Sequence, residues 1–490
     1  MTLILMIALF FYYYSTGGAA LSPYGTERII AQPVPGAVEF EEPKVCAVDD
    51  PRLNNSNATS EIKAAIDACG DLPGGGVVVI ASSLVVHSAS LWLRSNLTLR
   101  VEGKVVGTAS GYGNRTDPSN SNVSDAPLVY TRREGVMTWA PAGLVNGGRC
   151  IRLKDPLVGW DDCAAWRTLE NVVVEGRFDG NARGWLAWDD KTQRPALFDL
   201  LWIDGLTLRG LSVRNSGYWT LHPTFCDNVR VANADVETTG RNTDGLDVDS
   251  SWNVYVGRSR FRTGDDNIAL KAGRDWSGRM VNASTRNVLV EATRFGWGNG
   301  VAVGSETSGW IQDVVVRDVV FEGTERAAHV KSKPGRGGGA RNITFENASG
   351  LVQNAVVLTL NYGASSKNPD TLNASSTPHI DDITLKDLDL RAIGWIARDE
   401  KKDHYAFFEC SGLAADGPRP TTSALVPIKG VVFENVTVRV RGFGTPWSPP
   451  LQRCELCEFR ASPNTSPPPC SSSSFFSSPA APQPPRTTMT

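Results

Sequence analysis

The sequence predicts an all-β solenoid, a parallel β-helix. Three observations carry that reading. Short β-branched segments recur along the body, each opened by Asn, Asp or Gly. They succeed one another without helical patterns between them. Their spacing is uneven, as expected when stacked coils keep register and loops absorb the length differences. The segments are Asn171-Val-Val-Val, Gly205-Leu-Thr-Leu, Asn228-Val-Arg-Val, Asn253-Val-Tyr-Val, Asn287-Val-Leu-Val, Asp313-Val-Val-Val, Asn342-Ile-Thr-Phe, Asp382-Ile-Thr-Leu and Gly430-Val-Val-Phe. Brief β-branched runs bounded by turn residues are strand chemistry. A propeller would also supply many short strands, but its blades recur at a steadier period, so it ranks second.

The elements come in order along the chain. Leu3 to Tyr14 form an unbroken apolar run of 12 residues, then Gly17-Gly18-Ala19-Ala20. This reads as a signal peptide over residues 1–20, too short for a comfortable membrane span of about 20 residues. An uncleaved anchor is the alternative. The chain carries 11 N-x-S/T sequons. That density points to a glycosylated, secreted protein, extracellular or in a cell wall. Secretion makes the nine cysteines disulfide candidates, with Cys46–Cys69 and Cys150–Cys163 as plausible pairs. Cys454-x-x-Cys457 lacks a second such pair and is read without a metal or redox role. Ser60 to Cys69 reads as one helix, with Ile62, Ala65, Ile66 and Cys69 on its apolar face and Ser60 as N-cap. It would cover the first coil and its free sheet edge.

Residues 21–445 form the solenoid in this reading. From Pro446 the chain holds 11 of its 29 prolines and ends in Ser- and Thr-rich low complexity, so 446–490 is read as a disordered tail. The formal net charge of −3 gives no overall field that would draw nucleic acid or anionic lipid. No nucleic-acid partner and no stable membrane association are expected, and the chain is read as a monomer.

Chemistry concentrates in two Asp-rich turns. They are Asn242-Thr-Asp244-Gly-Leu-Asp247-Val-Asp249 and Gly264-Asp265-Asp266-Asn-Ile-Ala-Leu-Lys271. Asp244 and Asp265 lie about one short coil apart, so stacking would set them on one face with Asp266 beside them. Crowded carboxylates repel, and at least one pKa should rise. That allows one acid to stay protonated while another acts as base. Calcium binding or simple turn termination is the alternative for any single Asp. Two such turns one coil apart, together with the basic stretch His329-Val-Lys331-Ser-Lys333 downstream, favour catalysis on an anionic substrate. A solvated basic loop is the alternative for that stretch. His329 and Lys331 would point to the same side of a strand. Tyr218, Trp219 and Trp297 are candidates for sugar stacking, with core packing the competing reading for each.

Between residues 45 and 445 the chain resembles glycoside hydrolase family 28, the pectin-cleaving polygalacturonases, and most closely their plant-type branch. The resemblance rests on an ordered set: Asn215-Ser-Gly-Tyr-Trp-Thr-Leu-His-Pro223, Asn242-Thr-Asp-Gly245, Gly264-Asp-Asp266, Gly304-Ser-Glu306, Val330-Lys-Ser332 and Gly335-Arg-Gly337. It implies a right-handed parallel β-helix of the pectin-lyase-like kind. It implies inverting hydrolysis of α-1,4-galacturonosyl bonds in pectin, with no metal or other cofactor. Asp265 would be the general acid, with Asp244 and Asp266 orienting and activating water. Lys331 would pair with the uronate carboxylate. His329, Asn242 and Asn299 would be further substrate contacts.

Two positions depart from the family pattern. Asn299 stands where many members have His, and His329 where they have Arg. His binds a carboxylate only when protonated, so substrate affinity is expected to fall as pH rises through the His329 pKa. Rhamnogalacturonan or xylogalacturonan hydrolysis, non-catalytic pectin binding and a pectate lyase are the competing readings.

Overall fold

The computed structural model describes residues 43–108, 128–148, 151–152, 168–182, 194–363, 376–392, 406–411, 428–440, 451–455 and 457–466. The expected signal peptide and Cys150–Cys163 pair lie outside them.

The nine segments singled out in the sequence are one structural position repeated. Val172, Leu206, Val229, Val254, Val288, Val314, Ile343, Ile383 and Val431 are consecutive parallel register partners. All nine are buried in a single apolar column. The residue before each has a positive φ, between 53° and 76°. Asn, Asp and Gly tolerate that left-handed conformation, whereas β-branched residues do not. The turn therefore selects the opening residue, and the column selects the apolar residue after it. The architecture is a parallel β-helix, as expected.

These turns stack as well. The Asn253 Nδ2 donates to Asp227 Oδ1 at 2.7 Å, and Asn287 Nδ2 donates to Asn253 Oδ1 at 2.6 Å. Asn342 does the same to Asp313 at 2.7 Å. Inside, Phe261, Phe295 and Phe321 stack in register with centroids 6.2 and 5.6 Å apart.

A helix, Thr59–Cys69, starts one residue before the expected one. Ser60 is not its cap. Ala58 holds that position without a side-chain bond, and Asn57 Oδ1 instead accepts from the Thr59 N–H at 3.1 Å. The helix buries Ile62, Ala65, Ile66 and Cys69, the expected face, in the same core as Val78 and Leu99. The Cys46–Cys69 disulfide ties it to the first strand, Lys44–Val48.

The solenoid runs past residue 445, which corrects the expected boundary. Leu451–Glu455 pairs with Ala406–Ser411, and Cys457–Ala461 pairs with Ile428–Val440. Cys457 is disulfide-bonded to Cys410, which gives one half of the CxxC a structural role. Cys226 is free and buried.

One insertion breaks the parallel pattern. Leu128–Arg133 and Val136–Pro141 form an antiparallel hairpin, joined by Ile151–Arg152 in a separate small sheet. The hairpin drives Arg132 and Arg133 into the protein, where both are fully buried. Eight sequon asparagines fall in the described regions, and none is buried.

Candidate active site

One sheet of the solenoid carries the site. Its successive strands are Phe198–Leu201, Leu221–Thr224, Leu246–Asp249, Asp266–Lys271 and Asn299–Val303, and then the end of Ile311–Lys331. Asp244 lies two residues before the third of these strands, and Asp265 and Asp266 sit at the entry of the fourth. The Gly245 N–H donates to the Asp266 carbonyl at 2.9 Å, which locks the two turns one above the other. Carboxylate oxygens of Asp244, Asp265 and Asp266 therefore come within 4.8 Å of one another, as the one-coil spacing predicted.

The three carboxyls differ in surroundings. Asp265 is half-buried, and Asp244 and Asp266 are buried. Burial, then the charge of Asp266, raises the Asp265 pKa. Burial, then Asp247 and Asp265, pushes Asp244 well above its usual value. Asp266 is the one with strong donors. Its Oδ1 accepts from Asn299 Nδ2 at 2.9 Å and its Oδ2 from Lys331 Nζ at 2.8 Å. Each oxygen keeps a lone pair for a further donor such as water.

The other expected residues also converge here. Asn242 Nδ2 donates to Asp265 Oδ2 at 3.4 Å, while its Oδ1 accepts from Arg194 at 2.9 Å. Arg194 thus fixes which face of the amide meets the acid. Asn299 is the register partner of Asp266, and its own Oδ1 accepts from Arg326. Lys331 reaches Asp266, not open solvent, and lies under the Tyr362 ring at 4.8 Å.

His329 corrects an expectation. It is 2% exposed, and its Nδ1 has no hydrogen-bond partner among the described residues. Burial, then the positive charges of Lys331 and Arg326, pushes its pKa well below the usual value. Both causes disfavour the charged ring that would attract a carboxylate. Tyr218 and Trp219 are buried, so core packing holds for both, whereas Trp297 is 44% exposed.

Further charge lies behind the trio, and sequence reasoning assigned it no role. Lys271 Nζ stands 3.9 Å from Asp244, 3.5 Å from Asp247 and 3.8 Å from Glu306. All four groups are buried. Burial would lower the Lys271 pKa, but Glu306, Asp247 and Asp244 outweigh it and raise it well above normal. Burial lifts Asp247 to about 7. Beyond it, Arg132 donates to Asp249 at 2.7 Å, and Arg133 donates to Asp199 at 3.1 Å. These arginines overcome burial and hold both aspartates at about 2. His222 bridges the pair, 3.2 Å from Asp199 and 3.9 Å from Asp249. Asp247, Asp249, Lys271 and Glu306 all stand inside the quoted motifs, so the strand alternation after each Asp-rich turn was the available signal. Arg132 and Arg133 sit outside the repeat, and nothing in local sequence links them to residues far downstream.

The arrangement offers one accessible acid with a raised pKa, one carboxylate with open lone pairs, and a buried cation network behind them. That is the equipment of acid/base hydrolysis.

Comparison with known proteins gives a concordant result. Residues 159–392 match the model of the glycosyl hydrolases family 28. An endo-polygalacturonase of Pectobacterium carotovorum is 28% identical over 363 residues, covering 71% of this chain and 81% of that protein. A probable polygalacturonase of Vitis vinifera is 27% identical over 296 residues, covering 57% of this chain and 55% of that protein. Among solved structures, the family 28 exopolygalacturonase of Yersinia enterocolitica superposes with a TM-score of 0.64 at 21% identity, covering 86% of this chain and 79% of that one. The exopolygalacturonase of Thermotoga maritima gives 0.61 at 20% identity, with 89% and 94% covered. These likenesses are of fold: a right-handed parallel β-helix.

Proposed function

We propose that this chain, which belongs to glycosyl hydrolase family 28, hydrolyses α-1,4-galacturonosyl bonds of polygalacturonan, the acidic backbone of pectin. The observation that carries the reading is the trio Asp244, Asp265 and Asp266, packed within 4.8 Å, of which only Asp265 is partly exposed. In this account Asp265, whose pKa is raised by its burial and by Asp266, gives its proton to the glycosidic oxygen as the bond to the anomeric carbon breaks. Water attacks that carbon from the other face. Its proton passes to Asp266, whose lone pairs remain available beside Asn299 and Lys331. Asp244 orients the same water. One bond is broken, one water is consumed, and the proton balance closes when Asp266 returns its proton to solvent and Asp265 is reprotonated.

Inversion is part of the proposal. The trio is tighter than the roughly 6.5–9.5 Å separation that usually marks inverting pairs. We therefore place the water beside the trio, cradled by Asp244 and Asp266, instead of between acid and base. Proton NMR of the first-formed product tests this, and a retained anomer sinks the water assignment.

We also propose that the protein works outside the cell. No helix among the described residues is long and apolar enough to cross a membrane.

The direct test is purified protein on polygalacturonic acid, read by reducing-sugar release. Release by wild type and its loss in Asp265→Asn are expected. No release by either protein would overturn the reading in favour of a non-catalytic pectin binder. Absorbance near 235 nm would mark elimination, not hydrolysis.

A further inference from the structure

We infer that Arg326 is the group that receives a substrate carboxylate beside the catalytic aspartates. The inference rests on the galacturonan reading above and extends it to a residue that no motif singled out.

A polyanionic substrate needs a cation beside the trio, and most cations here are already engaged. Lys331 is 4% exposed and bonded to Asp266. Lys271 is 6% exposed among three carboxylates. Arg194 is buried, with its donors on the carbonyls of Gly217 and Arg241 and on Asn242. Arg336 is buried, bonded to Asp275 and to the Ser305 carbonyl. The surroundings of His329 disfavour its charged form.

Arg326 differs on each count. Its side chain is 30% exposed. One terminal nitrogen, Nη1, makes both of its contacts, to Asn299 Oδ1 and to Glu325 Oε2, the latter at 3.3 Å. Its Nε and second terminal nitrogen have no protein partner among the described residues. That leaves part of a planar fork whose paired N–H groups match a carboxylate. The fork is also fixed in place. Asn299 bridges it to Asp266, so the guanidinium stands one amide width from the water-activating carboxylate. A uronate held there would lie next to the bond being broken. Asn299 is thus a spacer between the catalytic carboxylate and the substrate cation.

Arg326 could instead serve only to orient Asn299, and the experiment separates the two roles. Binding is measured by titration calorimetry in the inactive Asp265→Asn protein, with trigalacturonate and its fully methyl-esterified form as probes. Adding Arg326→Gln is expected to weaken trigalacturonate about tenfold, because a charged hydrogen-bonded contact is lost. The neutral ester should lose less than about twofold. Thermal unfolding of the double variant checks that it is folded. Should it fail to fold, Arg326→Lys, which keeps the charge but loses the fork, is expected to weaken the acid alone and by less. Equal weakening of acid and ester, or no weakening, overturns the assignment. Failure of the Asp265→Asn parent to bind trigalacturonate overturns the galacturonan reading itself.

Discussion

Two edges of the same coils put polar side chains on top of one another, with opposite results. On one edge, Asn253 stacks between Asp227 and Asn287 with donors facing acceptors at 2.7 and 2.6 Å. On the other, the same coil-to-coil stacking sets Asp244 against Asp265 and Asp266, like against like. The first edge is exposed or half-buried and its amides are satisfied. The second is buried, and oxygens of Asp244, Asp247 and Glu306 have no hydrogen-bond partner among the described residues. A solenoid thus offers one geometric device, the aligned turn. Complementary groups make it a strut, and like charges raise the pKa values of the carboxyls they crowd.

Four experiments test this contrast. The largest effect is expected from Asp265→Asn, which should lower kcat roughly 10³-fold, within the range for loss of a general acid. Because it also relieves repulsion, its unfolding midpoint should not fall below wild type. A clear drop would mean the carboxylate is structural.

Next comes Lys271→Met. Removing the cation leaves three buried carboxylates uncompensated, which should cost about 3–5 kcal/mol by urea unfolding. A change under about 1 kcal/mol would show that the network is not held by this charge.

The third concerns pH. Asp247 is raised from 3.8 to about 7 in the folded protein. Its folded state prefers the proton, so stability should fall as pH rises from about 4 to 7. Asp199 and Asp249 are lowered to about 2, so their contribution is complete above 3.8 and is lost as pH falls toward 2. Asp247→Asn should flatten the decline above pH 4 and leave the acid limb unchanged, as urea midpoints across pH will report. A wild-type slope that persists in the variant removes Asp247 from the account.

The smallest effect is Asn253→Ala. It removes two side-chain hydrogen bonds, to Asp227 and from Asn287, and places Ala at φ 55°, for a loss of about 1–2 kcal/mol with kcat unchanged. A fall in kcat would mean that the two edges are coupled.

The coils were legible because turn and column impose separate demands on adjacent positions, as in Asn342-Ile343 or Asp382-Ile383. The trio was legible for the same reason: near-equal spacing places Asp244 and Asp265 in one stack. What stayed hidden was environment. His329 reads as a cation until its burial is known. Lys331 reads as free until Asp266 is found at 2.8 Å. The boundary at 445 failed because proline content does not register two short strands and a disulfide that continue the solenoid. The hairpin was missed because its antiparallel pairing and its two arginines obey no coil period.

That hairpin has a consequence in time. Arg132 meets Asp249, 117 residues further along, and Arg133 meets Asp199, 66 residues on. At synthesis rates of about 5–20 residues per second, the hairpin leaves the ribosome some 6–23 s before the last of these partners exists. Two arginines destined for full burial must wait in water until then. The hairpin is therefore made early, yet Arg132 can be seated only after the strand Leu246–Asp249 has arrived.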